Sequence, residues 1–564
     1  MRLTLAVAAL LAATPTLGAS DPSQLGIGYI CGAEQTPGGA TSGTVMLKGV
    51  GNGSSPADTS SPQAQAWYDE GLNLYHAFNH NEAIDAFARA AALDPSCALC
   101  EWGLALSLGP TLNYGVTAAQ RADALAHVER ARKLLKSGDG RAAGLVSALS
   151  VRYGRDTPDA ERDVRFSRAL DDLARRYPAD DEIANLTAHA LLIPARRDDF
   201  SGVARAEELV KGVLARKPDD TAAIHYHIHA SEFAGAPADA LPYAERLAGL
   251  APGASHLVHM AAHTLMHVGQ YEKVALVDAQ ALKVDADVQA QLGYPGPLSR
   301  QMYYQHNYNF GLAGALMAGD APLALKYVDH AAIAFPMDFD KGALAVPPGL
   351  DGSPTPAARR ITATARSFVA LGRYAPARAL ALQDRPDDPR LVRLYRHYAR
   401  GEAFAARRDQ SGVSREAAAV AAVGEEARKA AETGSAQVAE IAAEVLQGRA
   451  ALLRDDPAKA AQYFAGAADK QERYFPFAKN FDPPPWWYPI RRSLAVAELR
   501  SGHNTEAVRQ ATISLAAWPN DGLALRVLAL AERRLGREGA ARAHMTQARK
   551  AWRGDLAKAP LNLV

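Results

Sequence analysis

The pattern of hydrophobic and polar positions is helical along almost the whole chain. Small and apolar residues recur at i, i+3, i+4 and i+7, whereas the alternation typical of strands is scarce. The clearest unit reads AQAWYDEGLNLYHAFNHNEAIDAFARAAALDP. Trp67 and Leu74 mark its first helix, Ala83 and Phe87 mark its second, and Pro95 ends it. This stretch predicts one helix-turn-helix unit of about 34 residues.

Further units of this kind predict the fold class. They read SFVALGRYAPARALALQ, GRAALLRDDPAKAAQYFAGAADK, GHNTEAVRQATISLAAWP and GLALRVLALAERRLGREGAARAHMTQARKAW. Each unit buries one face against its neighbour, so a chain of 564 residues needs no single large core. We predict an all-α fold, a tetratricopeptide-like helical-repeat superhelix (α-solenoid). The periods are less regular over residues 105–220, where a non-repeating helical domain is the alternative.

The chain divides into five predicted segments. Arg2, an apolar stretch over 3–13 and small residues over 16–19 indicate a secretory signal peptide, and a Gly/Ser/Thr/Pro-rich stretch follows it. The predicted segments are a signal peptide at 1–19, an irregular N-terminal arm at 20–63, N-terminal helical repeats at 64–220, His-rich repeats at 221–345, and C-terminal repeats at 346–564 interrupted by a Pro/Trp loop at 482–490. Export predicts a periplasmic or secreted protein.

Composition excludes several classes of function. The net charge of +1 argues against a nucleic-acid or anionic-membrane surface, and no internal run is apolar enough to span a bilayer. Of three cysteines, Cys97 and Cys100 form a CxxC motif, but Glu101 follows it instead of the histidine of a c-type haem site. We expect these two side chains to pack as core, with a redox or metal role as the alternative.

Candidate chemistry concentrates between residues 224 and 310. This stretch contains IHYHIHASE, SHLVHMAAHTLMHVGQY and YYQHNYNF. It holds eight of the sixteen histidines, which are His225, His227, His229, His256, His259, His263, His267 and His306. All of these except His227 fall, together with Glu232, on one side of their helices.

The histidines recur in register with three predicted turn glycines. A pair lies ten and six residues before the glycine in two units, and a single histidine lies thirteen residues before it in two units. These are His225 and His229 before Gly235, His259 and His263 before Gly269, His256 before Gly269, and His306 before Gly319. First helices line the concave face of such a superhelix, so we expect the three rows to converge there.

Such a cluster predicts a transition-metal site. Imidazole suits copper, iron and zinc, and a carboxylate suits iron or zinc. We predict copper, with iron or zinc as alternatives. The candidate ligands exceed one tetrahedral site, so they predict two metals or one metal with an acid/base shell. They are His225, His229, Glu232, His256, His259, His263, His267 and His306. Paired HxxxH spacing is similar to that of helical dinuclear copper proteins.

Two residues are candidates for catalysis. Glu232 fits a ligand, an orienter of a ligand histidine, or a general base, and Tyr304 fits a hydrogen-bond donor to a bound ligand. His76 and His80 lie in a turn of the first repeat, where we expect a structural role. Without metal, the histidines would form a groove for an anionic ligand or peptide, or a buried polar network.

The motifs resemble a known family. HYHIHASE, HLVHMAAHTLMHVGQY, YYQHNYNF and PPPWWYPIRRSLAVAELRSG are similar to sequences of bacterial secreted tetratricopeptide-repeat proteins, and more distantly to tetratricopeptide repeat protein 38. The resemblance runs from about residue 64 to the end. It implies a shared signature, His225, His229, Glu232, His256, His259, His263, His306 and Asn307, with His227 and His267 as local variants. It implies an architecture and no activity.

Together these observations predict an exported metal-dependent redox enzyme. Metal-assisted hydrolysis is the neighbouring alternative. Two other classes remain open, a protein- or peptide-binding scaffold without catalysis and a periplasmic metal carrier. The expected partners are a small-molecule or peptide ligand in the concave groove and a protein on the repeat surface.

Overall fold

The fold is all-α over every residue that the structure describes. The computed structural model describes residues 45–564 except 114, 137–139, 198, 297, 299–302, 336–355 and 478–481. These residues form 24 α-helices and no strand. The predicted signal peptide and residues 20–44 of the predicted arm lie outside the described residues. None of the described helices is long and apolar enough to cross a membrane.

The N-terminal part contains eight helices joined by short connections. They are α1 (Pro62–His76), α2 (His80–Leu93), α3 (Ala98–Ser107), α4 (Ala118–Leu134), α5 (Gly140–Tyr153), α6 (Arg162–Arg176), α7 (Asp181–Leu192) and α8 (Val203–Arg216). Short 3-10 helices lie at Asp159–Glu161 and Ile193–Arg197. Asp94 ends α2 before Pro95, as the sequence predicts. Successive helices pack on one another here too.

The middle part carries the histidines. Its helices are α9 (Thr221–Phe233), α10 (Leu241–Leu250), α11 (Ser255–His267), α12 (Tyr271–Leu292), α13 (Tyr304–Ala318) and α14 (Ala321–Ala334), with a 3-10 turn at Pro237–Ala240. Gly235, Gly269 and Gly319 each adopt positive φ angles, between 70° and 74°, in the turns between paired helices. That left-handed conformation favours glycine, which explains the three turn positions seen in the sequence.

Ten helices complete the array. They are α15 (Pro356–Tyr374), α16 (Pro376–Leu380), α17 (Arg390–Ala406), α18 (Gln410–Lys429), α19 (Thr433–Leu453), α20 (Pro457–Tyr474), α21 (Arg491–Arg500), α22 (Asn504–Ala517), α23 (Gly522–Arg534) and α24 (Glu538–Ala551). A 3-10 turn at Leu561–Leu563 packs against α17, α19 and α21. The proline-rich loop ends where α21 begins, and Trp486 and Tyr488 within it are fully buried.

First helices stack directly on one another. The helices α7, α9, α11, α13 and α15 contact each other in succession, and each also contacts the helix that follows it in the chain. Every residue from Thr221 to Glu232 and from Ser255 to Met266 is buried. A helix that is buried on all sides needs no polar face. The polar side chains found on these helices therefore face protein instead of water.

The N-terminal arm is packed, not free. Leu47, Val50 and Ala57 are buried, although the sequence of this stretch predicts no core. The Leu47 amide donates to Glu70 Oε1 at 2.7 Å, and the Gly253 amide donates to the Gly49 carbonyl at 2.8 Å. The irregular arm is therefore held on the repeats over residues 45–61 by backbone hydrogen bonds and a few apolar side chains.

The CxxC motif also differs from expectation. Cys97 and Cys100 are buried as predicted, but they form a disulfide instead of packing as free thiols. Cys97 is the N-cap residue of α3, so the helix start brings its sulfur above the Cys100 amide. The disulfide joins residues three positions apart and closes no long loop.

The C-terminal repeats pack on the turns of the His-rich repeats. The Arg553 amide donates to the Ala318 carbonyl at 2.8 Å, and Asn520 Nδ2 donates to the Val268 carbonyl at 3.3 Å. A Cβ atom on Gly269 would lie 2.0 Å from the Pro519 carbonyl oxygen. On Gly235, which has the same backbone conformation, nothing lies within 4 Å of that position. Gly269 is therefore required for this contact as well as for its φ angle.

The pair Gly269→Ala and Gly235→Ala tests this contact. In both variants, holding alanine in the left-handed backbone conformation costs about 1–2 kcal/mol. Only Gly269→Ala adds a clash, and the atoms it meets are backbone atoms that cannot rotate away. We expect Gly269→Ala to lower the free energy of unfolding by about 1–3 kcal/mol more than Gly235→Ala, measured by urea titration. If both variants lose the same free energy of unfolding, the C-terminal repeats do not contact this turn closely.

Candidate metal centre

Six of the eight predicted ligands come together in two groups of three. In the first group the ligand atoms of His225, His229 and His256 all lie within 4.8 Å of one another. In the second the same holds for His259, His263 and His306. The three rows predicted from the turn glycines therefore converge.

The two groups are built by one rule. Each takes the histidines ten and six residues before the turn glycine of one first helix, and the histidine thirteen residues before the glycine of the next. The first group joins α9 to α11, and the second joins α11 to α13. A shift of one repeat along the array converts the first group into the second. The sequence shows the three spacings, but the division into two groups appears only in the structure.

The two groups are adjacent. The ring centroids of His229 and His263 lie 5.8 Å apart, and those of His256 and His259 lie 5.9 Å apart. Within the groups the corresponding distances run from 4.4 Å to 6.4 Å. The facing rings of different groups are thus as close as rings of the same group, so the arrangement can hold two ions near each other.

The histidines are buried instead of lining an open groove. Their exposed fractions lie between 0% and 3%. Five ring nitrogens, the Nε2 atoms of His225, His229 and His259 and both nitrogens of His256, have no hydrogen-bond partner among the described residues. Burying such an atom without a partner costs about 1–3 kcal/mol. Orphaned nitrogens that converge in one place are the donor set that an imidazole-binding metal requires.

Acceptors behind the rings orient several of these nitrogens. His225 Nδ1 donates to the His76 carbonyl oxygen at 2.7 Å, so the tautomer with a bare Nε2 is fixed. His259 Nδ1 lies 2.6 Å from Asp278 Oδ1, and His263 Nδ1 lies 3.2 Å from Glu232 Oε1. Such contacts at the far nitrogen are the usual support of a metal-bound imidazole.

Burial disfavours the charged form of four of the six imidazoles. It lowers the pKa of His225 to about 3, and it lowers the pKa of His229, His256 and His259 well below the usual value, with neighbouring histidines adding to the effect. Burial also raises the pKa of Asp278. Both shifts disfavour the charged forms of the His259 and Asp278 pair, and a cation at Nε2 would favour the ionised carboxylate.

Glu232 and His267 lie beside the second group but belong to neither. Glu232 Oε1 is 3.2 Å from both His263 Nδ1 and His267 Nε2. Burial alone raises the pKa of Glu232, but the charge of His263 and the hydrogen bonds from both histidines outweigh burial and lower it. The position is that of an orienting carboxylate, the second of the three roles that the sequence leaves open for it.

Two phenylalanines close the groups on their outer sides. The Phe78 ring lies 4.5 Å from His225 and 5.2 Å from His256, and the Phe310 ring lies 4.6 Å from His263 and 4.8 Å from His259. These walls leave the bare nitrogens in an apolar surrounding. Phe78 also has a φ of 59°, an uncommon value for a residue with a side chain.

The structure corrects the expectation for Tyr304. Its hydroxyl contacts His330 Nε2, and its ring packs on Phe335, away from both groups. The preceding residue, Tyr303, is the one that stacks on the His256 ring, at 4.2 Å. The reason is helical: α13 places the side chain of residue 306 inward, and residue 304 lies on another side.

The first repeat lies next to the histidines, although it is distant in sequence. His76 supplies the carbonyl oxygen that holds His225, and its ring lies 2.9 Å from Glu182 and 2.7 Å from the Tyr226 hydroxyl. His80 is buried as well. The structural role expected for the His76 ring fits these contacts. The packing of α1 against α9 brings this repeat to the site.

Asp278 is the supporting residue that the sequence signals but that we did not single out. The buried face of α12 includes Tyr271, Val274, Ala275 and Leu282, and Asp278 falls within the same stripe. A carboxylate at a core position demands a buried partner, because unpaired burial of a charge is costly. The sequence gives no such signal for the contact of Phe78 with His225 and His256, because that contact depends on the curvature of the array.

Comparisons with known proteins add little to this geometry. No protein-family model and no curated protein matches the chain. Among solved structures, human IFIT1 as a dimer with m7Gppp-AAAA is similar at 11% identity and a TM-score of 0.30, covering 86% of this chain and 94% of that one. The TPR domain of P58(IPK) is similar at 12% identity and a TM-score of 0.23, covering 84% and 98%. Such low TM-scores carry no argument about the histidines.

The neutral histidines predict an acid-sensitive metal-free protein. In the unfolded chain histidine titrates near about 6.5, whereas in the folded chain the pKa of His256 is lower, so unfolding takes up protons. Stability therefore falls as pH drops below about 6.5 and is unaffected above it. We expect His256→Gln to reduce the slope of unfolding free energy against pH by an amount that approaches 1.4 kcal/mol per pH unit, roughly one proton, at the acid end of the range. Urea unfolding between about pH 7.5 and about pH 5 measures it.

His503→Gln is the control for this measurement. The side chain of His503 is 66% exposed and its Nδ1 lies 2.8 Å from Glu498 Oε2, so the variant makes the same replacement without removing a buried imidazole. A slope that is the same in His256→Gln and in the wild-type protein would mean that His256 is not held neutral by burial.

Proposed function

We propose that this protein binds two transition-metal ions, one in each histidine group, and uses them for redox chemistry. The observation that carries the proposal is the pair of buried three-histidine groups whose ring nitrogens converge within 4.8 Å. Three protein ligands leave an open coordination position, which is the arrangement of catalytic sites. Four-ligand closed sites are typical of structural metals instead.

The donor set favours copper, and iron or zinc remain as alternatives. Both groups offer imidazole alone, which suits copper and zinc better than it suits iron, whose enzyme sites usually include a carboxylate. Copper ions alternate between two oxidation states, so a close pair would pass two electrons between a substrate and an acceptor. Zinc in the same groups would support hydrolysis through bound water.

The chain's own residues have three roles in this proposal. The Nε2 atoms of the histidines bind the metal ions. The His76 carbonyl, Asp278 and Glu232 hold the rings in the tautomer that leaves Nε2 free to bind. Phe78 and Phe310 exclude water from the groups. Glu232 is proposed as an orienter of His263, and His267 as a second partner of that carboxylate.

A pure interaction scaffold is the second candidate. The helical-repeat fold suits protein binding, and its outer surface is available for a protein partner. The buried histidines argue against such a scaffold as the whole function, because a peptide groove requires accessible side chains and these are at most 3% exposed. A metal carrier would likewise need a more open site than this one.

Export and family membership complete the proposal. The N-terminal pattern indicates a periplasmic or secreted protein, and the disulfide between Cys97 and Cys100 is consistent with an oxidising compartment. We propose that the chain belongs with the bacterial secreted tetratricopeptide-repeat proteins and is distantly similar to tetratricopeptide repeat protein 38, on the motifs given above.

Elemental analysis of protein purified from its native compartment tests the metal proposal. We expect about two ions per chain. His229→Ala removes a ligand of the first group and His263→Ala removes one of the second, so each variant should retain about one ion. If the metal found is copper, the result supports the redox function. If it is zinc, the result favours metal-assisted hydrolysis instead.

His227→Gln is the matched control. This histidine lies on the same helix as His229 and is equally buried, but its Nδ1 is 3.1 Å from Glu207 and it belongs to neither group. It should keep the full metal content. The proposal is contradicted if the wild-type protein contains no metal. It is also contradicted if His229→Ala and His263→Ala keep the full metal content.

Asp278→Asn tests the supporting contact. The variant keeps an acceptor for His259 Nδ1 but removes the carboxylate, so we expect a roughly 10–100-fold weaker affinity for the second ion, measured by competition with a chelator. Asp285→Asn is the control, since Asp285 lies two turns further along α12 and bonds to Ser255 and Asn307 instead of a histidine ring. Equal affinities in Asp278→Asn and the control would remove Asp278 from the site.

A further inference from the structure

A cavity that opens to solvent lies where the first repeat meets the end of α12. Residues of the N-terminal arm, of α1 and α2, and of the stretch that ends α12 form its walls. Its volume is about 50 Å³, which is room for about four water molecules. Val45 and Gln291 are exposed members of its wall, so a ligand can enter from outside. The proposed metal centre uses none of its lining residues.

Three carboxylates line this cavity, and over the part of the chain that the structure describes its wall contains no lysine, arginine or histidine. They belong to Glu70 on α1 and to Glu82 and Asp85 on α2. Glu82 accepts a hydrogen bond from the Tyr294 hydroxyl at 3.0 Å. Burial raises the pKa of Glu82, and the charge of Asp85 adds to the shift. Carboxylates gathered between apolar walls attract a cation.

Glu70 is the most buried of the three carboxylates. It is 8% exposed, and among the described residues it has one hydrogen bond, from the Leu47 amide to Oε1 at 2.7 Å, and no ion pair. Burial raises its pKa to about 7, against that hydrogen bond. Burying a carboxylate is costly unless a cation pairs with it. Because Glu70 lines the cavity, a cation bound there would be its partner.

The walls select the kind of cation. A hard ion such as calcium takes about six to eight oxygen ligands. More than half of the lining side chains offer none, and these are Val45, Leu47, Trp67, Leu74, Ala86 and Leu292. An alkylammonium ion suits both parts of the wall. Its N–H groups donate to carboxylates in charge-assisted hydrogen bonds, its stem packs on apolar side chains, and an indole ring attracts its charge.

We propose that this cavity binds a small primary alkylammonium ion. The ammonium group donates to Glu70 and Glu82, and Asp85 adds negative charge beside them. The stem lies against Leu74 and the Trp67 ring. A primary ammonium has three N–H donors for these carboxylates, whereas a quaternary one has none. The site is separate from the histidine groups, so its test does not depend on the proposed function.

Three probes separate the contacts by calorimetry with the full-length protein. The measurement is made at about pH 8, where an alkylamine stays charged and Glu70 is mostly ionised. Butylammonium has the charge and the N–H donors, tetramethylammonium has the charge alone, and 1-butanol has the stem without charge. We expect butylammonium to bind best. Glu70→Gln should weaken butylammonium about 10-fold and leave 1-butanol unchanged, because it removes a charge and keeps the shape.

Two further variants keep the test decisive if Glu70→Gln does not fold. Glu82→Gln removes the charge of a half-buried carboxylate and should also weaken butylammonium selectively. Glu129→Gln makes the same replacement at an exposed position of α4 and should change nothing.

Three results would overturn the proposal. The first is that butylammonium binds the wild-type protein no better than 1-butanol does. The second is that tetramethylammonium binds better than butylammonium, which would exclude a role for the N–H donors. The third is that the folded variants Glu70→Gln and Glu82→Gln bind butylammonium as tightly as the wild-type protein.

Discussion

Direct stacking of first helix on first helix is the constraint on which the rest of this structure depends. Because α9, α11 and α13 contact one another in succession, residues at equal distances from their turn glycines lie side by side. A pair on one helix and a single residue on the next then form a group, and the next pair repeats it. The series stops where the side chains change. Ala222 occupies the outer position on α9, and Asn309 and Ala313 occupy the inner positions on α13.

The same stacking creates an electrostatic problem that only neutral rings or bound cations solve. Six imidazoles form two adjacent groups, in each of which the ligand atoms lie within 4.8 Å of one another, and their exposed fractions are 3% or less. Protonating one of them would place a charge in a dry interior beside its neighbours, which is why the pKa of each shifted ring is lowered. Acceptors at the far nitrogens of His225 and His259, from His76 and Asp278, use the tautomer that this neutrality permits. Metal affinity and folding stability are therefore linked properties here.

Burial of the groups depends on elements distant in sequence. The first repeat contributes Phe78 and the His76 carbonyl to the first group. At the other side, the proline-rich loop brings Asp482 to His306. The C-terminal repeats reach the turns of the His-rich repeats, where Gly269 and Gly319 leave room for Pro519 and Trp552. The repeat array thus encloses its central helices, and the groove expected on its concave side is filled by protein at the histidines.

The sequence by itself determined the helical class, the repeat units, the turn glycines and the three rows of histidines, because these are local periodicities. The sequence pattern also indicated Asp278, because a carboxylate within an apolar stripe needs a buried partner. It left three roles open for Glu232. It pointed to Tyr304, whereas the tyrosine that contacts a histidine of the groups is its neighbour, Tyr303. Only the tertiary structure decided which histidines share a group, which acceptor stands behind each ring, and that the first repeat closes the site. The physical reason is that these relations depend on the rotation and curvature accumulated from repeat to repeat, which no single unit encodes.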